Sequence, residues 1–270
     1  MEMIRAAQAF ATFGHPGRLA VFRLLLRFAP GGVRPTEIAA ALSLKHNTLS
    51  HHLADLTAAG LVQVTRRGRS LFYACDLAAA QGLIAYLALD VGRARPDLLP
   101  PVPSRRDTGF NVLFLCTGNS ARSIMAEALL RDLSGTGVKV YSAGTRPAVR
   151  AHPVALTMLQ RNGHDTSTLR TKDLTEFRRP GSPVMDAVIT LCDTAASEDC
   201  PPWPGQPVTG HWRLPDPVKA TEGETAEAFA RTYDTLHRRI AAFSRAPLAS
   251  LGRIALQQRI DAIGAEPPAL

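Results

Sequence analysis

Through the first third of the chain, apolar residues return every three or four positions and then briefly alternate with polar ones. Leu19, Phe22, Leu25 and Leu26 follow Pro16, a residue suited to a helix start, and their run ends at Ala29-Pro30-Gly31-Gly32. Thr36–Leu42 predicts a second, short helix, and Ser43–His46 a turn. Asn47 is placed to cap a third helix, which carries Leu49, Leu53 and Leu56 on one face and stops at Gly60. Leu61–Thr65 and Ser70–Ala74 have strand character, and Arg66-Arg67-Gly68-Arg69 joins them as a hairpin. Residues 77–91 close this part as an amphipathic helix. The expected architecture is all-α with a two-stranded wing, a winged helix.

Residues 92–109 are rich in Pro, Arg and Gly and carry no period, so they read as a linker. Beyond it, strands and helices alternate. Val112–Leu115 reads as strand, Ser123–Leu133 as helix, Val138–Ser142 as strand and His152–Gln160 as helix. Ala187–Leu191 is a further strand and Glu224–Phe243 a long helix. That order predicts a three-layer α/β unit with a parallel sheet. Residues 247–270 lack a clear pattern and read as a loosely attached tail. The expected division is 1–91, a linker at 92–109, 110–246 and a tail at 247–270.

Composition sharpens this picture in four ways. The hydrophobic fraction of 46% is that of a folded chain. No apolar run approaches the roughly 18 residues of a membrane helix, and Met1–Phe13 lacks the pattern of a secretory leader, so a cytoplasmic protein without a membrane partner is expected. Of the net charge of +8, residues 1–91 contribute +4, a basic excess where a phosphate backbone would be met. Finally, Cys75, Cys116, Cys192 and Cys200 are too few for a disulfide scaffold and lack the paired spacing of a zinc site.

The strongest chemical signal is Cys116-Thr117-Gly118-Asn119-Ser120-Ala121-Arg122-Ser123, set between a strand and a helix. Backbone N–H groups of Thr117 to Arg122 at a helix N-terminus can cradle an oxyanion, with the Arg122 fork on two of its oxygens. The same positive field is expected to lower the Cys116 pKa and hold a nucleophilic thiolate. Gly118 permits the tight curve, and Ser123 can hydrogen-bond the sulfur.

The first part of the chain, from Phe13-Gly-His-Pro-Gly-Arg-Leu to Leu49-Ser-His-His-Leu-Ala-Asp-Leu and Gly60-Leu-Val62, resembles the arsenic-responsive repressor (ArsR) family over about residues 3–91. That resemblance implies that Asn47, Thr48, Ser50, His51 and His52 face the major groove of double-stranded DNA. Arg66, Arg67 and Arg69 of the wing would meet phosphate or minor groove. It also implies a homodimer through terminal helices at 3–13 and 77–91. Arsenite sensors of that family often carry paired cysteines where this chain has Val33-Arg-Pro-Thr-Glu-Ile38, so the inducer stays open. Cys75 reads as a buried structural residue.

The cysteine loop resembles both the low molecular weight tyrosine phosphatases and the arsenate reductases that share their fold, over about residues 110–245. Val188-Ile-Thr-Leu-Cys192, Cys200-Pro201 and His211-Trp212 favour the reductases, and Val218-Lys219 stands where a tyrosine phosphatase is expected to carry aromatic residues. By this resemblance Cys116, Cys192 and Cys200 form a thiol relay that reduces arsenate to arsenite and is reset by thioredoxin. Asp216, before Pro217, would be the general acid, although a turn former before proline is the alternative. No tightly bound cofactor is implied. Some members hold a potassium ion, whose ligands would fall on Asn119, Glu127, Ser142 and Asp173, all oxygen donors suited to a hard cation. Two further readings stay open: a regulator fused to a phosphatase, and a repressor whose second domain only senses an oxyanion or redox state.

Overall fold

The computed structural model describes residues 1–98, 109–198 and 203–267, and the chain divides into two compact units, Met1–Ser104 and Arg105–Leu270. In the first unit, helices α1 (Met3–Phe13), α2 (Pro16–Arg27), α3 (Pro35–Leu42) and α4 (His46–Ala58) precede strands β1 (Val62–Arg67) and β2 (Ser70–Cys75) and helix α5 (Leu77–Ala85). Phe22, Leu25, Leu49, Leu53 and Leu56, to which the helical spacing pointed, are buried, whereas Leu19 and Leu26 are exposed and Val21 and Leu24 fill the core of α2 in their place. His15 caps α2 by accepting the Gly17 N–H on Nδ1 at 3.0 Å. In α3, Glu37 accepts the Arg34 N–H at 3.0 Å, which satisfies an otherwise orphaned donor.

Two details differ from the sequence expectation. Helix α4 begins at His46, so Asn47 lies in its first turn and Lys45 is the cap residue, without a side-chain cap bond. The last helix ends at Ala85 and continues through Tyr86–Val91 as a π-helical turn. The hairpin pairs Arg67 with Ser70 across a turn in which Gly68 adopts φ +61°, where a side chain would be strained.

The second unit is built on β3 (Phe110–Cys116), β4 (Val138–Gly144), β5 (Ala187–Thr190) and β6 (Val208–His211), all parallel in the order β4-β3-β5-β6. Strand β3 is buried along its whole length, which explains its nearly unbroken apolar sequence. Phe110, Val112 and Phe114 face helices α6 (Arg122–Leu133), α7 (Pro153–Arg161) and α9 (Thr225–Ser244). Leu113 and Leu115 face a smaller cluster with Leu174, Phe177, Met185 and Val188. Between β5 and β6 lies the short helix α8 (Asp193–Ser197). No described helix is long and apolar enough to cross a membrane.

The segment expected to trail as a tail is instead helix α10 (Arg253–Ala265), whose Leu256, Ile260 and Ile263 enter the main core. It packs on β6, an edge strand the sequence reading did not identify. Gln257 Nε2 donates to Thr209 O at 2.8 Å, covering an exposed edge carbonyl, and Trp212 Nε1 donates to Ile260 O at 2.9 Å. Its weak periodicity hid it from a reading based on pattern. Ile260→Ala is therefore expected to lower the unfolding free energy of this unit by about 2–4 kcal/mol in a urea titration. A loss below about 0.5 kcal/mol, the range of ordinary surface changes, would show α10 to be detached in solution.

Candidate functional site

The Cys116–Arg122 loop leaves the C-terminal end of β3 and enters α6, the position at which parallel sheets present their sites. For its N–H groups to turn inward, its carbonyls must turn outward and find donors. The stretch after β4 supplies them. Thr145 N–H donates to Cys116 O (3.2 Å), Arg146 to Thr117 O (2.9 Å), Ala148 to Gly118 O (2.8 Å) and His152 to Ser120 O (2.8 Å). Gly144 permits the approach, because a Cβ there would stand 2.7 Å from Thr117 O. Sequence reasoning missed this brace; a glycine ending a strand was its one visible sign.

Asn119 adopts φ +45° and is fully buried. Its N–H points at Cys116 Sγ from 3.2 Å. Its Oδ1 accepts the Lys172 N–H at 2.7 Å, which fixes the orientation of the amide. Nδ2 therefore donates to Ser123 and Ser142, each at 2.8 Å. With its oxygen thus used as acceptor, Ser142 gives its proton to Glu127, and Ser123 is left to serve the Cys116 sulfur at 2.9 Å.

These contacts overturn the potassium assignment. Lys172 Nζ lies 2.8 Å from Glu127 Oε2, and both side chains are about nine-tenths buried. Asn119 presents N–H groups to the serines, while Asp173 accepts from the N–H and hydroxyl of Thr175. An ammonium group thus supplies the positive charge beside Glu127, and Asn119 Oδ1, Ser142 Oγ, Glu127 Oε2 and Asp173 Oδ1 are already engaged. The residues do not fit potassium. Sequence reasoning overlooked Lys172 because nothing about a lone lysine marks it as buried.

Cys116 is almost fully buried. Burial pushes its thiol up and outweighs the downward pull of the Ser123 hydrogen bond and the Arg122 charge. The expectation of a lowered pKa counted the field and left out desolvation. Arg122 begins α6; its Nη2 meets Asp216 Oδ2 at 2.8 Å and its Nη1 donates to Leu214 O at 3.2 Å. Asp216 thus stands beside the cradle as the partner of its arginine. Cys192 Sγ is 3.3 Å from Thr117 Oγ1 and packs with Cys116 and Ala195 in one buried cluster. Gly118, Ser120 and Ala121 complete the loop. Cys200 lies outside the described residues.

In the first unit, Asn47, Thr48, Ser50 and His51 on α4 are exposed, as are Arg66, Arg67 and Arg69 of the hairpin. Arg67 stacks over the Phe72 ring at 5.1 Å, which fixes where its charge is presented. His52 corrects the expectation. It is buried against His15, ring centroids 4.8 Å apart, and does not face outward with its neighbours. Burial chiefly, then His15 and Arg18, hold its pKa below the ordinary 6.5. Burial raises the Cys75 thiol to about 11, as befits a structural cysteine.

Comparison with known proteins bears on both units. A family profile, low molecular weight phosphotyrosine protein phosphatase, matches residues 111–253, and a helix-turn-helix domain profile matches residues 13–65. An arsenate reductase of Bacillus subtilis is 37% identical over 138 residues, covering 49% of this chain and 94% of that protein. Arsenate reductase 2 of Staphylococcus saprophyticus is 34% identical over 132 residues, covering 49% and 94%. A crystal structure of arsenate reductase from Archaeoglobus fulgidus matches at 25% identity and a TM-score of 0.38, over 48% of this chain and 98% of that one.

Three outcomes test this geometry. Lys172→Ala leaves Glu127 buried without its partner and is expected to cost about 3–5 kcal/mol in urea unfolding. The native chain should melt at the same temperature in potassium and sodium chloride, and a potassium-specific rise would restore the ion. For His52, the unfolded chain binds its proton near 6.5 and the folded chain only at lower pH. The first unit should therefore lose stability as pH falls below about 6.5, and His52→Gln should flatten that dependence in thermal melts between pH 7.5 and 5.5.

Proposed function

Because the chain belongs, through residues 111–253, to the low molecular weight phosphotyrosine protein phosphatase family, we propose that its second unit works on a tetrahedral oxyanion, and that the oxyanion is arsenate. The observation that carries this reading is the second thiol. Cys192 is buried in contact with the nucleophile's loop, 3.3 Å from Thr117, a position that ester hydrolysis does not require. The relatives named arsenate reductase support it.

Arsenate enters the ring of inward N–H groups and takes the Arg122 fork from Asp216. The freed Asp216 carboxylate takes the Cys116 thiol proton and passes it to a departing hydroxyl of monoprotonated arsenate, so that the sulfur bonds to arsenic as the As–O bond breaks and water leaves. Cys192 then attacks the Cys116 sulfur. A disulfide forms, the S–As bond breaks, and its electron pair leaves on arsenic as arsenite. Cys200 attacks Cys192 next, which frees Cys116 and leaves a 192–200 disulfide for a dithiol reductant, thioredoxin, to reduce. The specific observation favouring a phosphatase is the cradle itself, which suits phosphate equally. Weak hydrolysis of aryl phosphates is thus part of the proposal.

The first unit is a DNA-binding module in this reading. Short polar side chains on the exposed start of α4 are placed to reach base edges, and the hairpin arginines to meet phosphate. Met3, Ile4, Ile84, Leu89 and Val91 are exposed on α1 and the α5 region, an apolar surface suited to a homodimer.

Cys116→Ser should abolish arsenate reduction and phosphate-ester hydrolysis together. Cys192→Ser and Cys200→Ser should retain hydrolysis of p-nitrophenyl phosphate while stopping repeated arsenate turnover with thioredoxin. Wild-type cycling by the Cys200 variant would refute the relay, and hydrolysis without any arsenite production would leave a phosphatase. For the other unit, the full chain should bind duplex DNA with a steep salt dependence, each neutralised phosphate adding about −0.9 to the log–log slope. Changing Arg67 and Arg69 to Ala should weaken binding to every sequence, whereas Asn47→Ala or Ser50→Ala should blunt sequence preference. Salt-independent binding would remove the regulatory half.

A further inference from the structure

Cys192 caps α8, a helix of five residues from Asp193 to Ser197, and its side chain makes no cap bond. So short a helix does not hold itself in place. Its first residue is held from outside. Asp193 Oδ1 is 3.0 Å from His211 Nε2, and Oδ2 is 2.7 Å from Arg213 Nη2. His211 is itself anchored, with Nδ1 2.8 Å from Thr190 Oγ1 on the neighbouring strand and only 7% of its side chain exposed.

The segment bearing these two partners is fastened from behind. Arg239, buried on α9, donates to Arg213 O at 3.2 Å. Trp212, between the two, donates to Ile260 O on α10. Gly264 of α10 lies so close that a Cβ there would stand 2.7 Å from His211 O. Most of α10 falls beyond the family match, which ends at residue 253. The buttress therefore comes largely from a segment the family profile does not include.

We propose that His211 and Arg213 clasp Asp193 in order to position Cys192 for its attack on Cys116, a proposal that rests on the thiol-relay reading above. Attack on sulfur needs an aligned approach, and a displacement of about 1 Å can cost on the order of a hundredfold in rate. The clasp fixes the residue next to the attacking sulfur through two groups, one from the last residue of β6 and one from the segment that follows it. His211 and Arg213 touch no reacting atom and are positioning residues.

The test uses the full chain with Asp193→Asn, His211→Ala, His211→Gln and Arg213→Ala. Hydrolysis of p-nitrophenyl phosphate, which uses Cys116 and Arg122 but not Cys192, should stay within about twofold of wild type, with an unchanged melting temperature. Single-turnover arsenite release should fall about tenfold to a hundredfold in Asp193→Asn and His211→Ala, with partial rescue by His211→Gln, whose amide can still donate to Asp193. A second readout needs no arsenate. In a Cys200→Ser background, hydrogen peroxide oxidises one thiol to a sulfenic acid with loss of water, and the other closes the 116–192 disulfide with loss of a second water. Peptide mass spectrometry follows its rate, which should fall in parallel. If the wild type releases no arsenite, the reading of the reaction fails while the peroxide rate still decides the clasp. Should the buried His211 variants unfold, Arg213→Ala at an exposed side chain decides. Disulfide formation at the wild-type rate in folded variants would overturn the proposal.

Discussion

The Cys116–Arg122 loop depends on one constraint: a backbone that turns its N–H groups inward must turn its carbonyls away and still satisfy them. The four donors from Thr145 to His152 meet that demand, and they reach the loop because β4 lies beside β3 and ends at Gly144. Asn119 meets the demand from inside. Its left-handed conformation costs of order 1–3 kcal/mol, and its three side-chain hydrogen bonds hold it there. Sheet order, glycine and asparagine therefore act together, and the cradle is a property of two adjacent strand ends.

The Lys172–Glu127 pair extends this logic to charge. An isolated carboxylate beneath the loop would be costly in a low dielectric and would repel an incoming anion. The ammonium at 2.8 Å neutralises it, and the Lys172 backbone N–H orients Asn119. One residue thus balances charge through its side chain and fixes hydrogen-bond direction through its backbone. The direction then passes through Nδ2 of Asn119 to Ser123, whose proton is left for sulfur.

Much of this was legible in sequence where the physics is local. The spacing of Leu49, Leu53 and Leu56 marks the buried face of α4, and Cys116 to Arg122 marks the cradle, because periodicity and a strand-to-helix turn leave signatures in adjacent residues. The misses share a cause. His52 sits in a polar run with His51, and only the packing against His15 and Gly17 shows that it points inward. Lys172 is 45 residues from Glu127, and its burial is set by strand order. Helix α10 buries Leu256, Ile260 and Ile263 on one face, but the exposed Ile254 on the opposite face blurs the period. Cys116 was read from the field of its loop, while desolvation depends on everything packed around it.

Arg122 has two claimants, and that competition links binding to chemistry. Its fork is held by Asp216 and Leu214 O, so an oxyanion in the cradle must displace a carboxylate that already has good geometry. In the proposed reaction, displacement would cost part of the binding energy and would free the Asp216 carboxylate to relay a proton to the departing oxygen. The carboxylate that pairs with Arg122 in the resting site is thus the group that the proposed reaction would call on when the anion enters.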